Sequence, residues 1–202
     1  QERLDMLSPI GITPDVIDLD IFCIANAFEI LHSGPENKVY GLLNIGHQQS
    51  SFAVIQDKMP FFVRDISSGG LSVTAALTEI KGISQAESET LKVSREEGLL
   101  SGLKAATQKG FESLIDELKN SIDFCEEEMG GPIPALWLSG GGAASYEAAS
   151  VLSEAIGKPV SLWDNRKKME IFKEADTRFM EEHAIELNVA FGMALRGARS
   201  AK

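Results

Sequence analysis

The stretch LWLSGGGAAS, residues 136–145, constrains the fold more than any other part of the chain. An apolar run ends in Gly140, Gly141 and Gly142 and passes into small residues. Three consecutive glycines there fit a reversal from a strand into a helix at a place where side chains would intrude. Such a turn can aim backbone N–H groups and the positive end of a helix at an anion. A Walker-type phosphate loop is excluded, because no Gly-Lys-Ser/Thr ending follows. Gly140-x-Gly142-x-x-Ser145 is one residue away from a dinucleotide fingerprint, with Asp164 ending the next strand. A tight turn that binds nothing is the third reading.

Two other turns share its character. The segment 42–55, LLNIGHQQSSFAVI, puts Gly46 at the end of a strand and Ser50 and Ser51 after the turn, where N–H groups and hydroxyls can meet a phosphate. The segment 67–74, SSGGLSVT, puts Gly69 and Gly70 just before a helix that carries Thr74. Either three small-residue turns line one cleft, or they are ordinary turns.

Hydrophobic periodicity places these turns. Residues 1–8 read as the tail of a helix, 15–20 as a short strand, 21–31 as an amphipathic helix and 32–37 as a loop. Residues 39–45 read as a buried strand. Residues 50–66 read as two strands joined at Gln56–Lys58, and a helix follows to about Lys81. Residues 83–129 are helical with breaks, and Ser84 followed by Glu87 has the spacing of a capping box. The stretch 111–128 carries seven acids against Lys119, the pattern of a solvated face. A strand at 134–139, a helix at 143–156 and a strand at 159–163 come next, and 165–182 is charged and partly helical. The last element, 184–196, is apolar nearly all round and reads as a buried helix whose Ala190, Gly192 and Ala194 would approach a sheet. The fold class is α/β: a mixed sheet that begins as a hairpin meander and ends in strand–helix units. The helical block 83–129 is expected as an inserted subdomain.

Composition removes several functions. With 19 Lys and Arg against 30 Asp and Glu the net charge is −11, which disfavours nucleic acid and anionic membrane surfaces. No apolar run nears the roughly 20 residues of a spanning helix, and no signal peptide is visible. Cys23 and Cys125 read as reduced, buried thiols. His32, His47 and His183 have no metal-ligand spacing, so no protein metal site and no catalytic base are assigned. Gln1 is not a natural start, so the chain is expected to be a processed or cloned piece.

Taken in order, these segments resemble a family. NIGHQQSSFAVIQDKMPFFVRDISSGGLSVT, 44–74, resembles the second phosphate-binding hairpin of the actin-like ATPase superfamily with its Gly-Gly-x-x-x-Thr helix start. LWLSGGGA resembles its adenosine motif, AESETLK (86–92) its ribose-reaching helix, and LNVAFGMALRG (187–197) its closing helix. SPIGITPDVIDLDIFCIANAFEIL, 8–31, is similar to a segment of the PilM family of type IV pilus assembly proteins. The resemblance implies an actin-like, ribonuclease H-like lobe: residues 1–36 ending the first lobe, 37–82 and 130–202 forming the second-lobe core, and 83–129 inserted. It implies ATP with Mg²⁺ bound by the full-length protein, with Asn44, Gly46, Ser50 and Ser51 near the phosphates and Gly69 and Gly70 bordering the nucleotide. Glu89 and Lys92 would approach the ribose, and Gly140, Gly141 and Gly142 would pass under the adenosine. Asn44 stands where the family carries an aspartate. An amide is a poorer ligand for a hard cation than a carboxylate, so weak or absent hydrolysis is implied. The implied partners are the cytoplasmic tail of the inner-membrane protein PilN and other pilus components, at the cytoplasmic side of that membrane. Read without the family, Glu89 and Lys92 are also consistent with a surface ion pair. A non-nucleotide interaction module, and a kinase or dinucleotide-binding lobe, are the competing functions.

Overall fold

The hairpin at 50–66 sets the architecture. Aromatic and β-branched residues alternate along it, and Asp57 and Lys58 both take positive φ, +50° and +68°, as a two-residue reversal between right-twisted strands requires. A computed structural model describes residues 2–31, 39–164 and 176–200. Strands β1 (Val39–Ile45), β2 (Ser50–Gln56), β3 (Met59–Ile66), β4 (Leu136–Ser139) and β5 (Val160–Leu162) form one sheet in the order β3-β2-β1-β4-β5. The pairs β1–β2 and β2–β3 are antiparallel, and β1–β4 and β4–β5 are parallel. This is the mixed meander-then-crossover sheet expected.

Helices cover both faces, because successive residues of β1 point to opposite sides. Leu43 and Ile45 join Phe52, Val54 and Leu138 beneath α6 (Glu112–Met129) and α7 (Ala148–Ile156), which contribute Leu114, Leu118, Ile122 and Leu152. Leu42, Ala53 and Ile55 face α2 (Asp20–Leu31) and α9 (Asn188–Ser200). Phe28 of α2 centres that side, with ring centroids 4.7 Å from Tyr40, 5.5 Å from Trp137 and 5.1 Å from Trp163. A smaller cluster joins α3 (Gly70–Lys81) to α5 (Leu103–Gly110) through Ala76, Leu77, Leu103 and Ala106. Between them lies α4 (Gln85–Leu91), started by the Ser84–Glu87 capping box. The remaining α-helices among the described residues are α1 (Glu2–Leu7) and α8 (Thr177–Glu182). Among the described residues no helix is long and apolar enough to cross a membrane.

Four expectations need correction. Residues 15–20 form no strand: the sheet offers them no partner, Ile17 and Leu19 stay exposed, and Asp20 already begins α2. The helix expected from 143 begins at Ala148, because Gly141–Ala144 winds into a 3-10 turn and Glu147, at φ +53°, reverses the chain before α7. The last helix starts at Asn188 and buries one side, leaving Met193 half exposed. Its Gly192 approaches a helix, α2, and Ala190 and Ala194 face outward. The loop at 32–37 and residues 165–175 of the charged run 165–182 lie outside the described residues.

The acidic helix α6 is not wholly solvated. Glu117 pairs with Arg64. Glu126 Oε1 accepts from the Ile133 N–H at 2.5 Å and from Lys158 Nζ at 2.7 Å, tying the end of α6 to the entry of β4. Burial opposes the ionised Glu126, but Lys158 and the Ile133 N–H outweigh it and hold the carboxyl below its ordinary value. Its stabilisation is therefore present above the ordinary glutamate range and is lost as pH falls through the lowered value. Glu126→Gln is expected to cost about 1 kcal/mol at neutral pH and less in acid. Urea unfolding at pH 7 and pH 3.5 checks this, and an equal loss at both would contradict it.

Candidate functional site

The parallel pairing of β1 and β4 brings their carboxyl ends side by side, the place where open α/β sheets hold ligands. Asn44 stands there between Ser51 of β2 and Ser139 of β4. The β1–β2 turn is closed by the Gly46 N–H donating to the Gln49 carbonyl at 3.0 Å. The start of α3 docks onto this turn: the Gly70 N–H donates to the Gly46 carbonyl at 2.9 Å, and the Leu71 N–H to the His47 carbonyl at 2.7 Å. The glycine triplet seats on the same spot. A Cβ on Gly142 would lie 2.5 Å from Ile45 Cγ2 and 2.9 Å from the Gly46 carbonyl oxygen, and one on Gly70 would lie 3.0 Å from the Gly142 Cα. All three glycine-bearing turns thus meet, backbone on backbone.

Within the triplet the residues differ in task. Gly140 has φ +87°, a conformation side chains disfavour, and its N–H donates to the Ile185 carbonyl at 2.9 Å. Gly142 is filled in by β1. Gly141 has room for a Cβ, which would meet the Glu186 side chain at an ordinary 3.6 Å. The N–H groups of Gly141 and Gly142, first in the 3-10 turn, have no backbone acceptor among the described residues; neither do those of His47 and Gln48. The dinucleotide reading loses ground, since the triplet opens onto a four-residue 3-10 turn instead of a helix.

The Glu89–Lys92 pair is no surface ornament. The Lys92 side chain is 8% exposed, so the surface-pair reading fails. Its Nζ lies 2.5 Å from Glu89 Oε2 and donates to Thr74 Oγ1 at 3.1 Å and to the Gly70 carbonyl at 3.5 Å. Thr74 in turn donates to Glu89 Oε1 at 2.6 Å. Burial opposes the Glu89 charge, but the bonds from Lys92 and Thr74, the Lys92 charge and that of His47 hold its carboxyl below the ordinary value. Glu89 keeps a third of its side chain open. This places a partly open carboxylate, braced by a buried cation, beside the turn that starts α3.

Other hydroxyls are committed elsewhere. Ser50 Oγ donates to the Ser68 carbonyl at 2.6 Å, and Ser51 Oγ to Asp65 at 2.6 Å on the opposite face. Ser68 Oγ is buried without a hydrogen-bond partner, directly before Gly69. Among the described residues no group of three or more His, Cys, Asp or Glu could hold a metal ion.

Several supporting residues were not singled out by sequence reasoning. Asn188 donates to Ser139 Oγ and to the Trp163 carbonyl, both at 3.1 Å, and fixes the end of β4. It is the one amide in the apolar run LNVAFGMAL, which is a readable signal. Arg95 donates to the Ala144 carbonyl at 3.0 Å, and the Tyr146 N–H donates to the Lys92 carbonyl at 2.7 Å. These tie the triplet turn to α4, and nothing in their local sequence announces it.

The family described as type IV pilus assembly protein PilM matches residues 1–198. Among solved structures, the PilM–PilN type IV pilus biogenesis complex is similar at TM-score 0.77 and 25% identity, over 96% of this chain and 56% of that one. MreB 5 of Spiroplasma citri bound to AMPPNP is similar at TM-score 0.68 and 15% identity, over 96% of this chain and 62% of that one. The ethanolamine utilization protein EutJ from Carboxydothermus hydrogenoformans is similar at TM-score 0.61 and 18% identity, over 87% and 53%. The last two show the fold alone. The chain spans little more than half the length of the first of these structures. No curated protein sequence matches it.

Proposed function

The chain belongs to the type IV pilus assembly protein PilM family, and we propose that in the full-length protein it supplies one wall of a two-lobed cleft that holds ATP with Mg²⁺. The observation that carries this is the meeting of the turns at 46–49, 69–71 and 140–142, with Glu89 and Lys92 beside them. The N–H groups of His47, Gln48, Gly141 and Gly142, which have no backbone acceptor among the described residues, suit phosphate oxygens. Glu89, held ionised by Lys92 and Thr74, suits a ribose hydroxyl. Gly141 leaves room for the flat face of a base.

The chemistry beyond binding is weak in this reading. Asn44 is neutral, and a magnesium ion carried by the nucleotide would find no carboxylate on β1. Hydrolysis is slow or absent, and the nucleotide acts through the conformation it stabilises. The protein then serves as a cytoplasmic scaffold of pilus assembly that binds the tail of an inner-membrane PilN protein, a partner suggested by the likeness to the PilM–PilN complex.

Asn44, with the commitments of Ser50 and Ser51, favours a second reading, an interaction module whose nucleotide site is lost. A labelled peptide of the PilN cytoplasmic tail, titrated into the full-length protein, separates the two. Micromolar binding is expected, and it should respond to ATP. Binding indifferent to ATP favours the second reading, and no binding by folded protein contradicts the partner.

A further inference from the structure

The geometry points to the free edge of β3 as a docking strand for an extended segment of a partner protein in which apolar and basic residues alternate. Among the described residues β3 is the outermost strand and pairs only with β2. In an antiparallel pair every second residue turns its N–H and C=O away from the neighbour. Along Phe61–Asp65 no hydrogen bond to those outward groups exists among the described residues. Edges of this kind are normally blunted by proline, bulges or charge. Here Pro60 and the register shift opposite it guard only the hairpin end. Beyond them the edge is open.

Apolar side chains flank it on both faces. Phe61 is 41% exposed and Val63 36%, with Met59 further out. On the other face Phe62 meets Phe124 of α6, ring centroids 5.7 Å apart, and Phe124 is itself 50% exposed. A strand laid beside β3 would gain backbone hydrogen bonds and would cover Phe61 and Val63 with one set of alternate side chains and Phe124 with the other. Large exposed apolar groups gathered around unpaired backbone are uncommon on a protein that stays alone.

Charge selects the occupant. Arg64 on β3 is already paired with Glu117, and Lys58 with Glu29. The exposed side of α6 presents Asp116, Asp123, Glu127 and Glu128 against Lys119. A second copy joined by antiparallel β3 pairing would have its own α6 on the same face of the continuous sheet. Two such acidic helices would then stand side by side, in a protein of net charge −11. A basic segment meets the opposite field. The proposal does not rest on the nucleotide reading.

The test uses the full-length protein and three blocked ten-residue peptides: alternating Lys and Val, alternating Glu and Val, and alternating Lys and Gly. The Lys–Val peptide is expected to bind at least about tenfold more tightly than either of the others, and to weaken as salt rises. It should slow amide exchange within 61–65, and Phe61→Lys with Val63→Lys should cost about tenfold in affinity. Equal binding of the Lys–Gly peptide would reduce the effect to charge alone and overturn the proposal. So would amide exchange at 61–65 of the wild type that the peptide leaves unchanged, a readout that stands even if the double variant fails to fold. A concentration-dependent dimer abolished by Phe61→Lys would make a second copy the occupant and would also overturn it.

Discussion

Gly192→Ala is expected to destabilise the protein by about 3 kcal/mol, at the upper end of what one added methyl costs in a packed interior. Gly192 sits on α9 against α2, and a Cβ there would lie 1.9 Å from the Cys23 carbonyl oxygen and 2.3 Å from its carbon. The obstacle is helix backbone, which cannot swing aside as a side-chain tip can. Retreat of α2 is blocked as well, since Phe28 is wedged among Tyr40, Trp137 and Trp163 and Ile24 is fully buried. The helices must therefore separate along their length. Thermal unfolding followed by tryptophan fluorescence should show a midpoint lowered by about 6–12 °C for a domain of this size. Met193→Ala, one residue along on the exposed side, should stay within about 0.5 kcal/mol of wild type. An unchanged midpoint for Gly192→Ala would mean that α9 does not pack on α2 as described.

Gly141→Trp is expected to leave the fold intact and to abolish nucleotide binding, lowering affinity at least about a hundredfold. The reason is the division of labour inside the triplet. A Cβ at Gly141 meets no backbone among its nearest neighbours and makes ordinary contact with the exposed Glu186 side chain, so an indole there is expected to displace that side chain and fill the cleft. Gly142→Ala should do the reverse in kind. Its methyl meets Ile45 Cγ2 at 2.5 Å and the Gly46 carbonyl at 2.9 Å, so the damage falls on stability, by about 1–3 kcal/mol. Thermal shift with and without ATP separates the two, because a ligand that binds only the native state raises the melting temperature. If both variants lose stability alike, Gly141 is packed and is no opening.

What could be read from the sequence follows local rules. The hairpin at 50–66 was legible from alternation, and the capping box from the Ser84–Glu87 spacing, since each depends on residues a few positions apart. The strand expected at 15–20 shows the limit: alternating residues make a strand only where a sheet edge receives them, and 15–20 pair with neither edge strand, β3 or β5. The start of α7 was hidden for a similar reason. Ser145 Oγ donates back to the Gly142 carbonyl and the Tyr146 N–H donates to the Lys92 carbonyl, so one local and one tertiary bond keep 145–147 out of the helix that small residues would allow. The three glycine turns were legible as candidates, but not why glycine is needed. At 70, 140 and 142 the space is taken by neighbouring backbone of the protein itself. Lys92 is the sharpest case. Three residues after Glu89 on an exposed-looking helix it reads as a surface ion pair, and only the seating of α4 on α3 buries it beneath Thr74 and Gly70.

The central claim, that this chain forms a nucleotide-holding wall, is tested most directly by isothermal titration of ATP with Mg²⁺ into the full-length protein, wild type beside Gly141→Trp. One ATP bound per wild-type chain, and none by a Gly141→Trp protein with an unchanged melting temperature, is the predicted result. A folded wild-type protein that binds no ATP, with or without the PilN tail, would contradict it.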